Sequence, residues 1–119
     1  MTRRTEQVNA LLRQEISALL LEDLNDPRIG GIVTVTKVDV SPDLRNARAY
    51  ISVFGTPAER ARTMEALEHA RPYVRRELGK RLQLRTTPDV RFFSDTSMER
   101  AQELTDKMKE TAEERGETL

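Results

Sequence analysis

Between residues 71 and 85 the chain reads Arg-Pro-Tyr-Val-Arg-Arg-Glu-Leu-Gly-Lys-Arg-Leu-Gln-Leu-Arg, with six cations (Arg71, Arg75, Arg76, Lys80, Arg81, Arg85) and one acid, Glu77. Clustered guanidinium and ammonium groups hold anions, and a polyphosphate backbone is the commonest anion that matches a row of them. The whole chain carries 20 Lys+Arg and 20 Asp+Glu, so the excess is local. Two readings fit it: a face for a polyanion, or a merely solvated helix surface. Other chemistries lack their residues. The absence of cysteine removes disulfides, thiolate nucleophiles and Cys-ligated zinc. His69 is the only histidine; near the end of a helix it serves the dipole as a cation, and no Gly-x-Ser-x-Gly elbow accompanies it. Gly30-Gly31 is a turn rather than a phosphate loop, and Glu22, Asp23 and Asp26 are spaced like a solvated helix end. These residues point to a binding module that is not an enzyme and needs no cofactor or metal.

At 119 residues the chain is expected to form one domain with one thin, mainly aliphatic core, because aromatics are few and 34% of residues are charged. No apolar run approaches the roughly 18 residues of a membrane span, and the start of the chain enters an amphipathic segment rather than a signal peptide. The expected setting is the cytoplasm. Charge is unevenly divided: residues 1–94 hold 16 basic and 12 acidic side chains, whereas 95–119 hold 4 and 8. A basic body with an acidic tail suits a nucleic-acid-binding protein and equally an exposed terminal helix with no role.

The elements that must position the cations follow from periodicity. Val8, Leu11, Leu12, Ile16, Leu19, Leu20 and Leu24 form one helical stripe, which Pro27 ends near Asn25. Residues 28–31 form a loop, and the β-branched run 32–40 predicts a strand. Turn residues 41–46 separate it from a second strand over 47–54, an antiparallel hairpin with a wide loop. Thr56, Pro57 and Glu59 compose a capping box with proline at the first helical position. That helix runs to about Ala70, where Pro72 interrupts it, and a second helix follows with Val74, Leu78 and Leu82 inward. At 100° per residue these three span about 80°, leaving Arg75, Arg76 and Lys80 on one flank and the outer face, and Arg81 on the other flank. Gly79 amid the cations costs ~1 kcal/mol against alanine, so either a backbone or phosphate closes on it or a neighbouring loop crowds it. Residues 90–93 make a third strand, and Thr96-Ser97-Met98-Glu99 opens a last helix with a thin apolar line, Ala101, Leu104, Met108 and Ala112.

The order α-β-β-α-α-β resembles the type II K-homology architecture, an α+β fold with a three-stranded sheet packed by helices. More narrowly, the chain is similar to the bacterial ribosome-binding factor A family over about residues 3–98. The resemblance rests on Asp26-Pro27-Arg28-Ile29-Gly30, on the run from Val33 to Leu44, on Ala47-Arg48-Ala49-Tyr50-Ile51-Ser52-Val53, on Leu78-Gly79-Lys80, and on the run from Leu84 to Asp95. That family bends its paired helices at Ala-x-Gly, where this chain has Ala70-Arg71-Pro72. Proline preserves a helix break but removes an N–H that could meet phosphate.

The resemblance implies a cold-shock-associated assembly factor that binds immature or free 30S subunits and 16S rRNA and promotes late rRNA maturation near the 5′ end and decoding-region helices. It also implies release with help from a GTPase. The expected division is a K-homology-like domain over 1–95 and an acidic helix or tail over 96–119. The expected RNA contacts are Arg71, Arg75, Arg76, Lys80, Arg81 and Arg85, with Arg45 and Arg48 of the adjoining hairpin. The expected partners are the 30S subunit and its rRNA, with no membrane, and the chain is expected to be a monomer. The competing reading is a protein–protein adaptor whose basic face docks an acidic partner.

Overall fold

The computed structural model of the chain describes residues 2–22 and 32–114. The expected end of the first helix, the 28–31 loop and the carboxylates Asp23 and Asp26 lie outside those residues. The observed order is α1 (Arg3–Glu22), β1 (Ile32–Val40), β2 (Asn46–Phe54), α2 (Pro57–Arg81), β3 (Asp89–Ser94) and α3 (Ser97–Glu114).

Helix α1 buries Val8, Leu12, Ile16, Leu19 and Leu20, each contributing up to ~1.5–3 kcal/mol by leaving water. Leu11, expected in that stripe, is 39% exposed and sits at its margin. The sheet order is β1-β2-β3, so β1 lies at one edge among the described residues. Side chains of α1 occupy part of it: Asn9 Oδ1 accepts from the Val40 N–H (2.7 Å), and Arg13 Nε donates to the Val35 carbonyl (3.3 Å). An edge so covered offers fewer groups to another chain.

The hairpin forms as expected, with β1 antiparallel to β2. Its register slips between Val35 and Lys37, leaving Thr36 as an extra residue. This bulge brings both Val35 and Val38 inward despite their three-residue spacing, and turns Lys37 to solvent. Strand β2 alternates cleanly: Ala47, Ala49, Ile51 and Val53 are buried, while Arg48, Tyr50 and Ser52 face away from the core. In the hairpin loop Asp43 Oδ1 accepts from the Ser41 hydroxyl and the Arg45 N–H, and Leu44 takes a left-handed φ of 62° with its side chain packed on the core.

β3 lies parallel to β2, a geometry that needs a crossover, and α2 supplies it. The capping box is present: Thr56 Oγ1 accepts from the Glu59 N–H and Glu59 Oε1 from the Thr56 N–H. The expected break at Pro72 is not: α2 is one 25-residue helix with Pro72 inside it. Thr63, Leu67, Val74 and Leu78 form one buried stripe through the proline. Interrupting the helix would take half of that stripe off the sheet. Pro72 is exposed, so the Glu68 carbonyl that loses its donor lies on the solvent side, where the loss is least costly. His69 consequently stands mid-helix, away from either dipole end, and the role expected for it lapses.

Both α1 and α2 pack on one face of the sheet, and among the described residues α3 packs extensively on no other element. Leu104 and Met108 of α3 are 61% and 55% exposed. None of the described helices is long and apolar enough to cross a membrane.

Candidate nucleic-acid interface

Val74, Leu78 and Leu82 are buried as the periodicity requires, at 0%, 0% and 6% exposure. Their inward direction fixes where the α2 cations go. Arg75 and Arg76 are exposed and make no ion pair among the described residues. Lys80 approaches Glu77 at 3.6 Å with its side chain still 74% exposed, a pairing too loose and too wet to neutralise it. These three form the available cationic face.

Arg71 is differently employed. Its Nε donates to the Val90 carbonyl (2.9 Å), Nη1 to Glu68 Oε1 (2.7 Å), and Nη2 to both Asp89 oxygens (3.1 Å each). Hydrogen bonding to Glu68 first, and to Asp89, raises its pKa still further above the ordinary arginine value. The guanidinium clamps α2 to the start of β3. Asp89 in turn donates its N–H to the Arg45 carbonyl (2.9 Å), so the hairpin loop, β3 and α2 meet at one corner. Arg45 is exposed in that loop.

A shallow groove runs along this corner between Arg71, Arg75, Arg76, Gly79 and Thr87. Gly79 forms part of its floor, and a Cβ there would lie 3.1 Å from Thr87 Oγ1. The closeness of the neighbouring loop accounts for the glycine. Arg85 is exposed in that same connection between α2 and β3. Arg81 lies on the far flank, 3.8 Å from Glu15 of α1.

Arg48 belongs to a different surface. It projects from β2 on the sheet face opposite the helices, paired in register with Asp39 and Arg91. The expected contacts therefore divide: Arg75, Arg76 and Lys80 lie on the exposed side of α2, Arg71 fastens α2 to β3, Arg45 and Arg85 are exposed on the connections that lead into β2 and β3, Arg81 flanks α1, and Arg48 projects from the opposite sheet face. Lys37, Tyr50, Arg91 and Phe93 share the open face with Arg48 and were not singled out from sequence. Alternation along β2 signals Tyr50, but the bulge hides Lys37. Among the described residues no cluster of three or more His, Cys, Asp or Glu could hold a metal.

The chain matches a family model described as ribosome-binding factor A over residues 4–108. It is 45% identical over 104 residues to the ribosome-binding factor A of Synechocystis sp., covering 87% of this chain and 78% of that one. It is 43% identical over 110 residues to that of Dictyoglomus thermophilum, covering 92% of both. The solution NMR structure of a Thermotoga maritima protein assigned as a ribosome binding factor A superposes with a TM-score of 0.70 at 33% identity, covering 80% of this chain and 90% of that one. A Thermus thermophilus ribosome binding factor A, fitted as a homology model into the cryo-EM map of its 30S complex, superposes with a TM-score of 0.57 at 25% identity, covering 82% and 97%.

Proposed function

The chain belongs to the ribosome-binding factor A family, and from that premise we propose that it binds immature or free 30S subunits through 16S rRNA and promotes late rRNA maturation. The observation that carries this reading is the exposed cationic face of Arg75, Arg76 and Lys80, held rigid by the core side of the same helix. The Thermus relative's placement in a 30S complex supports the partner.

Structured RNA is engaged largely by shape and phosphate contacts. A 25-residue helix docked along a sheet offers fixed spacing between cations. Arg75 and Arg76 line the groove beside Gly79, and Arg45 and Arg85 add exposed cations on the connections that lead into β2 and β3. No chemistry is required of the protein: it acts by holding rRNA in one arrangement. It works as a monomer in the cytoplasm and leaves the subunit with help from a GTPase.

The test is the salt dependence of binding to purified immature small subunits. Arg75→Gln, Arg76→Gln and Lys80→Gln together remove three phosphate contacts, which should flatten the slope by about 2 log units per log of salt, at ~0.7 per contact for non-duplex RNA. An unchanged slope in a folded triple variant would reject this face. An unchanged affinity for subunits with a lost affinity for an acidic protein would favour the adaptor.

A further inference from the structure

The sheet face turned away from the helices carries its own array. One row across the three strands is Lys37, Tyr50 and Phe93, and the adjacent row is Asp39, Arg48 and Arg91. Tyr50 and Phe93 rings lie 5.8 Å apart, tilted by 31°, and the Lys37 ammonium sits 6.0 Å from the Tyr50 ring centre. Phe93 is 40% exposed, and no described element covers it extensively. Arg48 and Arg91 are exposed and carry no ion pair among the described residues. Two acids border the array: half-buried Asp39 beside Arg48, and Asp95, whose oxygens are occupied by Thr36 and Ser97. Three cations thus surround two aromatic rings.

We propose that this open face is a second RNA surface, one that takes unpaired nucleotides by stacking bases on the Tyr50–Phe93 pair while Lys37, Arg48 and Arg91 meet the phosphates. This deepens the small-subunit reading and rests on it. Residues two apart on a strand are about 7 Å apart on the same face, so cations flank the rings at side-chain reach. Aromatic rings presented on a sheet are sequence-tolerant platforms for bases, and the surrounding positive charge tracks the backbone. Tyr, Phe and Arg are common at protein interfaces as well, where Lys is depleted; three cations set beside two rings are what a chain of phosphates and bases requires. The α2 face has cations without rings and suits structured RNA; the sheet face has both and suits single strands.

The experiment measures binding of fluorescently labelled oligouridylate, an unstructured RNA, to the full chain by anisotropy at constant salt. Tyr50→Leu with Phe93→Leu keeps apolar coverage but removes the stacking faces, and should weaken binding about tenfold or more. Tyr50→Phe, which retains the ring, should stay within about twofold of the parent. Circular dichroism and thermal midpoints verify that the variants fold. If the double leucine variant binds oligouridylate like the parent, or the parent does not bind it, the sheet-face proposal is overturned. If that happens while the Arg75, Arg76 and Lys80 triple variant still loses small subunits, the α2 reading survives alone. If the leucine variant loses subunits yet keeps oligouridylate, the face docks protein, and an RNA occupant is again ruled out.

Discussion

Arg71 separates structural cations from binding cations, and Arg71→Met measures the difference. Methionine keeps most of the aliphatic stem and removes every donor. The lost bond to the Val90 carbonyl is charge-assisted and partly buried, so it contributes about 1.5 kcal/mol. The contact to Asp89, whose side chain is 35% exposed, adds about 1, and the contact to 59%-exposed Glu68 a few tenths at most. The total is about 2–3 kcal/mol, or a fall in thermal midpoint of about 10–15 °C for a domain of this size. Thermal unfolding followed by circular dichroism reads it directly, and urea titration should show a shifted midpoint with an unchanged slope. Arg71→Lys keeps charge but not the planar fork, and should lose at least half as much. By contrast, Arg75→Gln and Arg76→Gln should each move stability by less than about 0.5 kcal/mol while weakening subunit binding. A midpoint for Arg71→Met within about 2 °C of the parent would refute the clamp.

Gly79→Ala should be near neutral, because the ~1 kcal/mol helix gain is offset by the tight approach to Thr87 Oγ1 at 3.1 Å; on a Thr87→Ala background it should stabilise by about 0.5–1 kcal/mol in urea titrations. Hydrogen bonds from Ser97 and then Thr36 hold the Asp95 carboxyl down from its ordinary 3.8 to about 2. A depressed carboxyl adds stability above its unfolded value that disappears as pH falls through the folded one, so the parent should lose stability between about pH 4 and 2 more steeply than Asp95→Asn; parallel urea midpoints across that window would contradict this. Ending the chain after Thr105 should leave the thermal midpoint within about 2 °C, since Leu104 and Met108 are solvent-facing; a large fall would mean that α3 packs on the body in solution.

Features with a local cause were readable from residues alone. The capping box at Thr56 is specified by three neighbouring side chains, and the alternation of β2 by its own one-sided burial. Where two causes compete, sequence was a poorer guide. Pro72 carries a strong local signal for a break, yet the buried stripe that runs from Leu67 through Val74 to Leu78 keeps α2 whole. The bulge at Thr36 was hidden because a run of β-branched residues has no alternation to interrupt. The parallel placement of β3 depends on the crossover, which no strand residue encodes. Charge density made Arg71 look like Arg75 and Arg76; only the proximity of Val90 and Asp89 shows that it is engaged internally.

The central claim is that the α2 corner lies against small-subunit rRNA, and the chain's lack of cysteine permits a direct measurement. A single Arg76→Cys variant can carry a tethered hydroxyl-radical source at one defined position on the exposed face. Bound to immature small subunits, it should cut 16S rRNA at one or a few clustered sites, and the cuts should vanish when unlabelled parent protein competes. A labelled variant that remains bound yet cuts no rRNA would place α2 away from the RNA and contradict the account.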